Sequence, residues 1–259
     1  MQSLEQQALI LVSSYDAVMA DSYSLPYLEV VNSSNLENFP KIHNAFMLRY
    51  LSNMRSSVHC WGEIAALVAA KNMMADIDIV GLQHYRRFLI LDQDYPESHV
   101  MNFSVKIKKN FLELQANHLW EYGNSVAIPR GIIAPTNLFD IFANSHGPLV
   151  EVLIQSAKIF DAQLSRYFQA PDTIEYLKSS NVFFGFNMFI GPRDFYFEWL
   201  NILHPVLSYL DALSFQLPEQ GYQSRWGGFI AERFFSYYIQ LCINSGHWDM
   251  RERTVAFFL

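Results

Sequence analysis

Charge is scarce in this chain. Only 17% of its 259 residues are Asp, Glu, Lys or Arg, and 18 basic residues face 25 acidic ones for a formal charge of -7. No general positive field therefore exists to hold a nucleic-acid backbone, and any anion site has to be built locally. Cysteine is nearly absent too. Cys60 and Cys242 could pair in principle, but both lie in apolar, helix-like surroundings where a buried free thiol is the commoner state, so both are read as core. No run approaches the roughly 20 apolar residues that span a bilayer. The first residues carry Glu5 and no basic segment, and the apolar run after them, Ala8 to Val12, is short; this predicts no signal peptide and a cytoplasmic location. Also missing are a Gly-x-x-x-x-Gly-Lys-Ser/Thr loop, a Gly-x-Gly-x-x-Gly fingerprint, a Gly-x-Ser-x-Gly elbow and a His-Glu-x-x-His helix. The ATPase, dinucleotide oxidoreductase, common serine hydrolase and zincin readings lose their usual support.

What is abundant is grease. Hydrophobic residues make up 51% of the chain, with 21 Phe and 14 Tyr, which excludes a disordered polymer and implies large cores or sticky surfaces. No repeat, low-complexity tract or linker interrupts it, so residues 1–259 are expected to form one domain. Strands are expected at Ala8 to Ser13, Tyr27 to Val31, Ile77 to Leu82, Ser125 to Ala134 around Pro129, and Val182 to Ile190, on β-branched and apolar runs bounded by turn residues. Asn32 opens a polar loop after the second strand. Helical spacing predicts helices at His59 to Met74, Val105 to Tyr122, Pro148 to Phe168, Thr173 to Ser179, Arg193 to Asp211 and Gly228 to Asn244. Alternating strands and helices argue an α/β fold with a mainly parallel central sheet flanked by helices.

In such sheets ligands bind beyond the carboxyl ends of the strands. The strand ending at Leu82 runs into Gln83, His84, Tyr85, Arg86 and Arg87. Donors and fixed positive charge in one place suit a phosphate or diphosphate; alternatively one arginine pairs with a structural carboxylate and the other faces water. Two Asp-x-Asp strings invite a divalent cation, Mg or Mn. Asp76 and Asp78 precede their strand and are read as a loop or cap. Asp92 and Asp94 follow an apolar run and are better placed, though this spacing is frequent in solvated turns. Without a cation, arginines can neutralise a leaving diphosphate themselves. A third string runs from Gly221 through Arg225 to Glu232 and Arg233. Glu232 lies one to two helical turns past Arg225, as a general base for a hydroxyl or as an acid in the helix's first turns. His146 is a loop residue that contacts an acceptor or water. Asn187 interrupts an apolar run and must find partners, a sugar hydroxyl or neighbouring backbone. Trp61 and Trp199 are read as core.

Taken together these strings resemble the bacterial capsular and exopolysaccharide biosynthesis proteins, long filed as a domain of unknown function and regarded as glycosyltransferases. Their diagnostic segment is an acid in a helix, a Lys-Asn at its end, and a strand running into Gly-Leu-x-His-Tyr-Arg-Arg. Here these are Glu63, Lys71 with Asn72, and Gly81 through His84, Tyr85, Arg86 and Arg87 to Phe88. A loop histidine matches His146, an Asn-Met-Phe-Ile string matches Asn187 to Ile190, and an Arg-x-x-Gly-Phe-x-x-Glu-Arg string matches Arg225 to Arg233. The resemblance implies a single GT-A-like (Rossmann-like) domain. It also implies transfer of a sugar, galactofuranose among the donors associated with such proteins, from a nucleotide-sugar donor to a glycan or lipid-linked glycan acceptor. A UDP-sugar is the expected donor. His84, Arg86, Arg87 and Arg225 would hold the diphosphate, Tyr85, Asn187 and His146 the substrates, and Glu232 would be the base. No metal ligand is assigned; a transferase using a cation at Asp92 and Asp94 is one competing expectation. A non-catalytic nucleotide- or glycan-binding module of a polysaccharide-assembly complex is another. A lipid-linked acceptor would bring the chain to the inner face of the membrane as a peripheral protein.

Overall fold

A computed structural model of the chain describes residues 7–14, 28–32, 58–61, 63–71, 76–84, 86–93, 95, 98–104, 108–217 and 222–259. The polar loop after Asn32, Asn72, Tyr85, Asp94 and Gly221 lie outside the described residues. Strands β1 (Ala8–Ser14) and β2 (Leu28–Asn32) come first. A 3-10 turn (Val58–Trp61) and helix α1 (Ile64–Ala70) occupy the expected first helix. Next along the chain are β3 (Ile79–His84), β4 (Arg87–Leu89), β5 (Val100–Phe103), α2 (Lys108–Ala116), β6 (Ser125–Pro129) and β7 (Ile132–Ile133). Helices α3 (Leu138–His146), α4 (Val150–Leu164) and α5 (Thr173–Ser179) lead into β8 (Val182–Phe183) and β9 (Phe189–Pro192). Two 20-residue helices, α6 (Arg193–Ala212) and α7 (Trp226–Ser245), precede β10 (Asp249–Arg253) and β11 (Val255–Phe258).

The main sheet runs β10-β6-β9-β3-β4-β11-β5, with β1 beside β3 and β2 beside β1. It is parallel at β2-β1-β3, β10-β6 and β11-β5, but β9 enters antiparallel between β3 and β6, and β4 is antiparallel to both β3 and β11. The sheet is thus mixed, and the expectation of a mainly parallel one holds only for part of it. The expected strand Val182 to Ile190 is in fact two short strands separated by a turn at Phe186 and Asn187, which have φ of 74° and 51°. Left-handed backbone at two L residues cannot continue a pleat. Four strands escape sequence periodicity for a common reason: β4, β5, β10 and β11 are short, and β10, at the sheet edge, carries four charged residues in five. Charge on an edge strand blocks further pairing but removes the apolar alternation that marks a strand.

Alternation on the inner strands divides the core in two. Leu9 and Leu11 of β1, with Val80 and Leu82 of β3, face α1, α6 and α7. Ile10 and Val12, with Ile79, face the opposite layer around Phe111, Leu112, Leu119 and Tyr122. Gly81 is needed between them, because a Cβ there would stand 2.7 Å from Ile190 Cγ1 and 2.8 Å from Ile10 Cδ1. Cys60 and Cys242 are free thiols buried in the larger core.

Register fixes which loops meet. Ile190 of β9 is the partner of both Gly81 on β3 and Ala127 on β6. Since β3 and β6 both oppose β9, they run the same way and their carboxyl ends share one edge of the sheet.

Candidate functional site

At that edge a cavity of about 380 Å3 is lined by His84, Arg86 and Arg87 from the β3-β4 hairpin, Phe186 and Asn187, Phe257, Glu63, and the start of α7. The hairpin turns immediately, with His84 paired to Arg87, so consecutive residues of one string converge there. From α7 come Arg225, which caps it, then Gly228, Phe229 and Glu232. Spacing of three, four and seven residues puts these on one helical face. That face is fixed by an edge-to-face contact of Trp61 with Trp226, centroids 4.9 Å apart. Gly227 permits it: a Cβ there would lie 2.6 Å from Trp61 Cε3. Because Glu63 follows Trp61 by two residues and Arg225 precedes Trp226, the tryptophan pair brings them together, and Arg225 Nη2 donates to Glu63 Oε1 at 3.2 Å.

The cations are held by rings as well as acids. The Arg87 guanidinium carbon lies 4.4 Å from the centre of the Phe186 ring and 5.4 Å from that of Phe257; Arg225 lies 5.7 Å from Phe229. A guanidinium held over a ring by cation-π attraction can still present its donors to an anion. Burial, then the Arg87, Arg225 and Arg86 charges, push His84 down to about 3, so it is a neutral imidazole. Its Nδ1 accepts the Arg86 amide hydrogen at 3.4 Å, which leaves the ring hydrogen on Nε2.

The two carboxylates differ. Glu232 Oε1 accepts the Phe186 amide hydrogen at 2.6 Å and Oε2 takes Arg233 Nη1 at 3.2 Å. Glu63 is raised above the usual carboxylate range, mainly by burial and against the pull of Arg225, with Glu232 adding to the rise. Asn187 is buried, and among the described residues its Oδ1 has no hydrogen-bond partner.

The structure therefore gathers His84, Arg86, Arg87, Arg225, Glu232 and Asn187 on one cavity. It does not bring His146 to the lining. That residue, expected in a polar loop, ends α3 as a buried ring stacked on Phe229 at 4.1 Å, so it backs a cavity wall. Asp92 lines a separate cavity of about 170 Å3 with Arg130, Glu252 and Arg253, away from the arginine pair. Asp78 ties down the chain before β1, accepting the Gln7 amide hydrogen at 3.0 Å. Among the described residues no group of three His, Cys, Asp or Glu side chains is placed to hold a metal ion. No helix among them is long and apolar enough to cross a membrane. Phe186, Phe229 and Phe257 were not foreseen as site residues. The stripe at 225, 228, 229 and 232 was the available signal for Phe229; Phe257 sits on a strand with no local mark.

A family model described as "Domain of unknown function (DUF4422)" matches residues 52–242. The chain belongs to this family. The DUF4422 match takes in Glu63, the β3-β4 hairpin, Asn187 and the start of α7, and leaves Phe257 outside it. No curated protein matches. Among solved structures the chain is similar to the bifunctional glycosyltransferase WbbM in its apo form, with a TM-score of 0.72 at 19% identity. That likeness covers 98% of this chain and 45% of the other, so this DUF4422 protein spans less than half of WbbM and shares its fold over that part.

Proposed function

We propose that the protein is a glycosyltransferase that moves a sugar from a nucleoside-diphosphate donor to a glycan acceptor in the assembly of a cell-surface polysaccharide. The observation that carries this reading is the convergence of Arg86, Arg87 and Arg225, with His84, on one cavity at the carboxyl edge of the sheet. In a chain of charge -7, three guanidinium groups against two carboxylates form a local positive site suited to a diphosphate. The cavity lies within the roughly 300–1,000 Å3 typical of small-molecule sites. The fold shared with a bifunctional glycosyltransferase supports the same class.

In the proposed reaction the acceptor hydroxyl attacks the anomeric carbon, the bond from that carbon to the diphosphate breaks, and the arginines receive the charge that develops on the leaving group. Neutral His84 donates a hydrogen bond rather than a charge. Asn187 offers to a sugar hydroxyl its Oδ1, which no described residue engages. One of the two carboxylates, Glu63 or Glu232, takes the proton. The donor is a UDP-sugar, with galactofuranose one of the donor sugars associated with the family it resembles, and a lipid-linked acceptor would draw the protein to a membrane surface.

Calorimetric titration with UDP, GDP, CMP and UDP-sugars, with and without a chelator, tests the donor site. The expected result is micromolar binding of one nucleotide that survives chelation and is lost in an Arg86→Ala/Arg87→Ala variant. Folded protein that binds none of them overturns the reading.

A further inference from the structure

The two carboxylates of the cavity are not equivalent in what the fold asks of them. Glu232 uses both oxygens on its surroundings, Oε1 on the Phe186 amide hydrogen at 2.6 Å and Oε2 on Arg233 at 3.2 Å. Arg233 is itself fixed with its guanidinium carbon 4.5 Å from the Phe183 ring centre. This arrangement bridges α7 to the segment between β8 and β9 and holds the left-handed turn at Phe186 and Asn187. Left-handed backbone at two non-glycine residues is strained and persists only where its neighbours over-determine it. Glu63 is different. Its Oε1 is engaged by Arg225 and its own backbone amide hydrogen-bonds the carboxylate, while Oε2 accepts no hydrogen bond from another described residue and faces Gly228, whose missing side chain leaves the space: a Cβ there would stand 3.7 Å from Oε2.

Resting on the transferase reading above, we propose that Glu63 is the catalytic base, taking the acceptor hydroxyl's proton on Oε2, and that Glu232 is a positioning residue holding the Phe186–Asn187 turn. The step balances within the cavity. The acceptor O–H gives its proton to Glu63 Oε2 as its oxygen bonds to the anomeric carbon, and the sugar-diphosphate bond breaks with its electron pair going to the nucleoside diphosphate beside the arginines. Arg225 then has two duties, orienting Glu63 and facing the leaving group, because both line the same wall. The raised affinity of Glu63 for a proton, caused by burial, suits a group that has to accept one.

The test compares Glu63→Gln and Glu232→Gln with the wild-type protein. UDP affinity is measured by calorimetry. UDP release from UDP-galactofuranose, UDP-galactose and UDP-glucose is followed from about pH 5 to 9 with octyl β-galactopyranoside and octyl β-galactofuranoside as acceptors. Glu63→Gln is expected to keep its Kd for UDP within about twofold and to lose about 100-fold or more in kcat, the range general bases supply; the fall in rate on the acid side of the profile vanishes with it. Glu232→Gln is expected to weaken UDP binding or raise KM, losing less than about tenfold in kcat and keeping that acid limb. Gly228→Ala provides a second variant should Glu63→Gln not fold. Its methyl stands 3.5 Å from Trp61 O and 3.7 Å from Oε2, both ordinary contacts, and fills the space beside Oε2 that an acceptor hydroxyl would enter, so kcat falls at unchanged UDP affinity. Wild-type-like kcat in Glu63→Gln, or in Gly228→Ala where it is the deciding variant, overturns Glu63 as base and leaves the transferase reading standing. UDP binding by the wild type with no release of UDP from any donor, or no binding at all, overturns the transferase reading and this assignment with it.

Discussion

The Glu232 carboxylate accepts the amide hydrogen of Phe186 at 2.6 Å across 46 residues of chain, and so a residue of helix α7 fixes the backbone of a turn whose next residue, Asn187, lines the cavity. This bond makes stability and site geometry inseparable at Glu232. Glu232→Ala leaves the buried face of the turn without its acceptor and Arg233 without its partner, and should cost about 1–3 kcal/mol. Chemical denaturation measures it; a cost near zero would mean the turn is held by packing alone.

Arg87 has two rings beside its guanidinium, Phe186 and Phe257, and Lys cannot reproduce that arrangement. Its guanidinium carbon lies 4.4 Å from the Phe186 ring centre, and a planar guanidinium can meet a ring and an anion together in a way an ammonium cannot. Arg87→Lys keeps the charge but should weaken nucleotide binding by about tenfold, the equivalent of about 1.4 kcal/mol, and Arg87→Ala by more. Titration calorimetry on the two variants separates geometry from charge: equal affinity of Arg87→Lys and wild type assigns the role to charge alone.

His84 makes the fold sensitive to acid. Its proton affinity is depressed to about 3 in the folded chain against about 6.5 unfolded. The unfolded state therefore binds the extra proton first, and the stability this group contributes is complete above about pH 6.5 and lost as pH falls toward 3, by up to about 1.4 kcal/mol per pH unit. Glu63, shifted upward, acts in the opposite sense, since protonation relieves its burial. Urea denaturation between about pH 4 and 7 on wild type and His84→Gln checks the sign: the wild type should lose more stability over that window than the variant.

Gly227 is required by the tryptophan contact. A Cβ placed 2.6 Å from Trp61 Cε3 and 3.0 Å from the Cys60 carbonyl oxygen meets a rigid ring and backbone, so Gly227→Ala should destabilise by about 1–3 kcal/mol and loosen the Glu63–Arg225 pair. Gly147→Ala is the control, with nothing within 4 Å of its added Cβ. Thermal unfolding of both variants should separate them by several degrees.

Much of this was legible in particular strings. Asp172 caps α5 with its side chain on the Glu175 amide, and the apolar spacing through Thr173 to Ser179 predicts the helix with its observed bounds. The long periodic segments behind α4, α6 and α7 are likewise local properties. The hairpin at His84 to Arg87 announces itself as a site because donors and charge crowd a strand end. His146 misled, since a polar neighbourhood of Asn144, Ser145 and Gly147 reads as loop, whereas stacking on Phe229 buries the ring at the end of a helix.

The chain by itself determined its class, its absence of a general positive field, most of its helices, and the cluster of cationic residues at the end of one strand, because these depend on composition and on spacing within a few residues. Only the tertiary structure decided that Glu63 meets Arg225 across 162 residues, that Arg87 lies beside both Phe186 and Phe257, and that Asp92 opens on a different cavity. Those relationships arise from strand order and from the antiparallel entry of β9. Strand order is chosen by the burial of whole faces against one another, and that choice leaves no periodic trace in the residues it brings together.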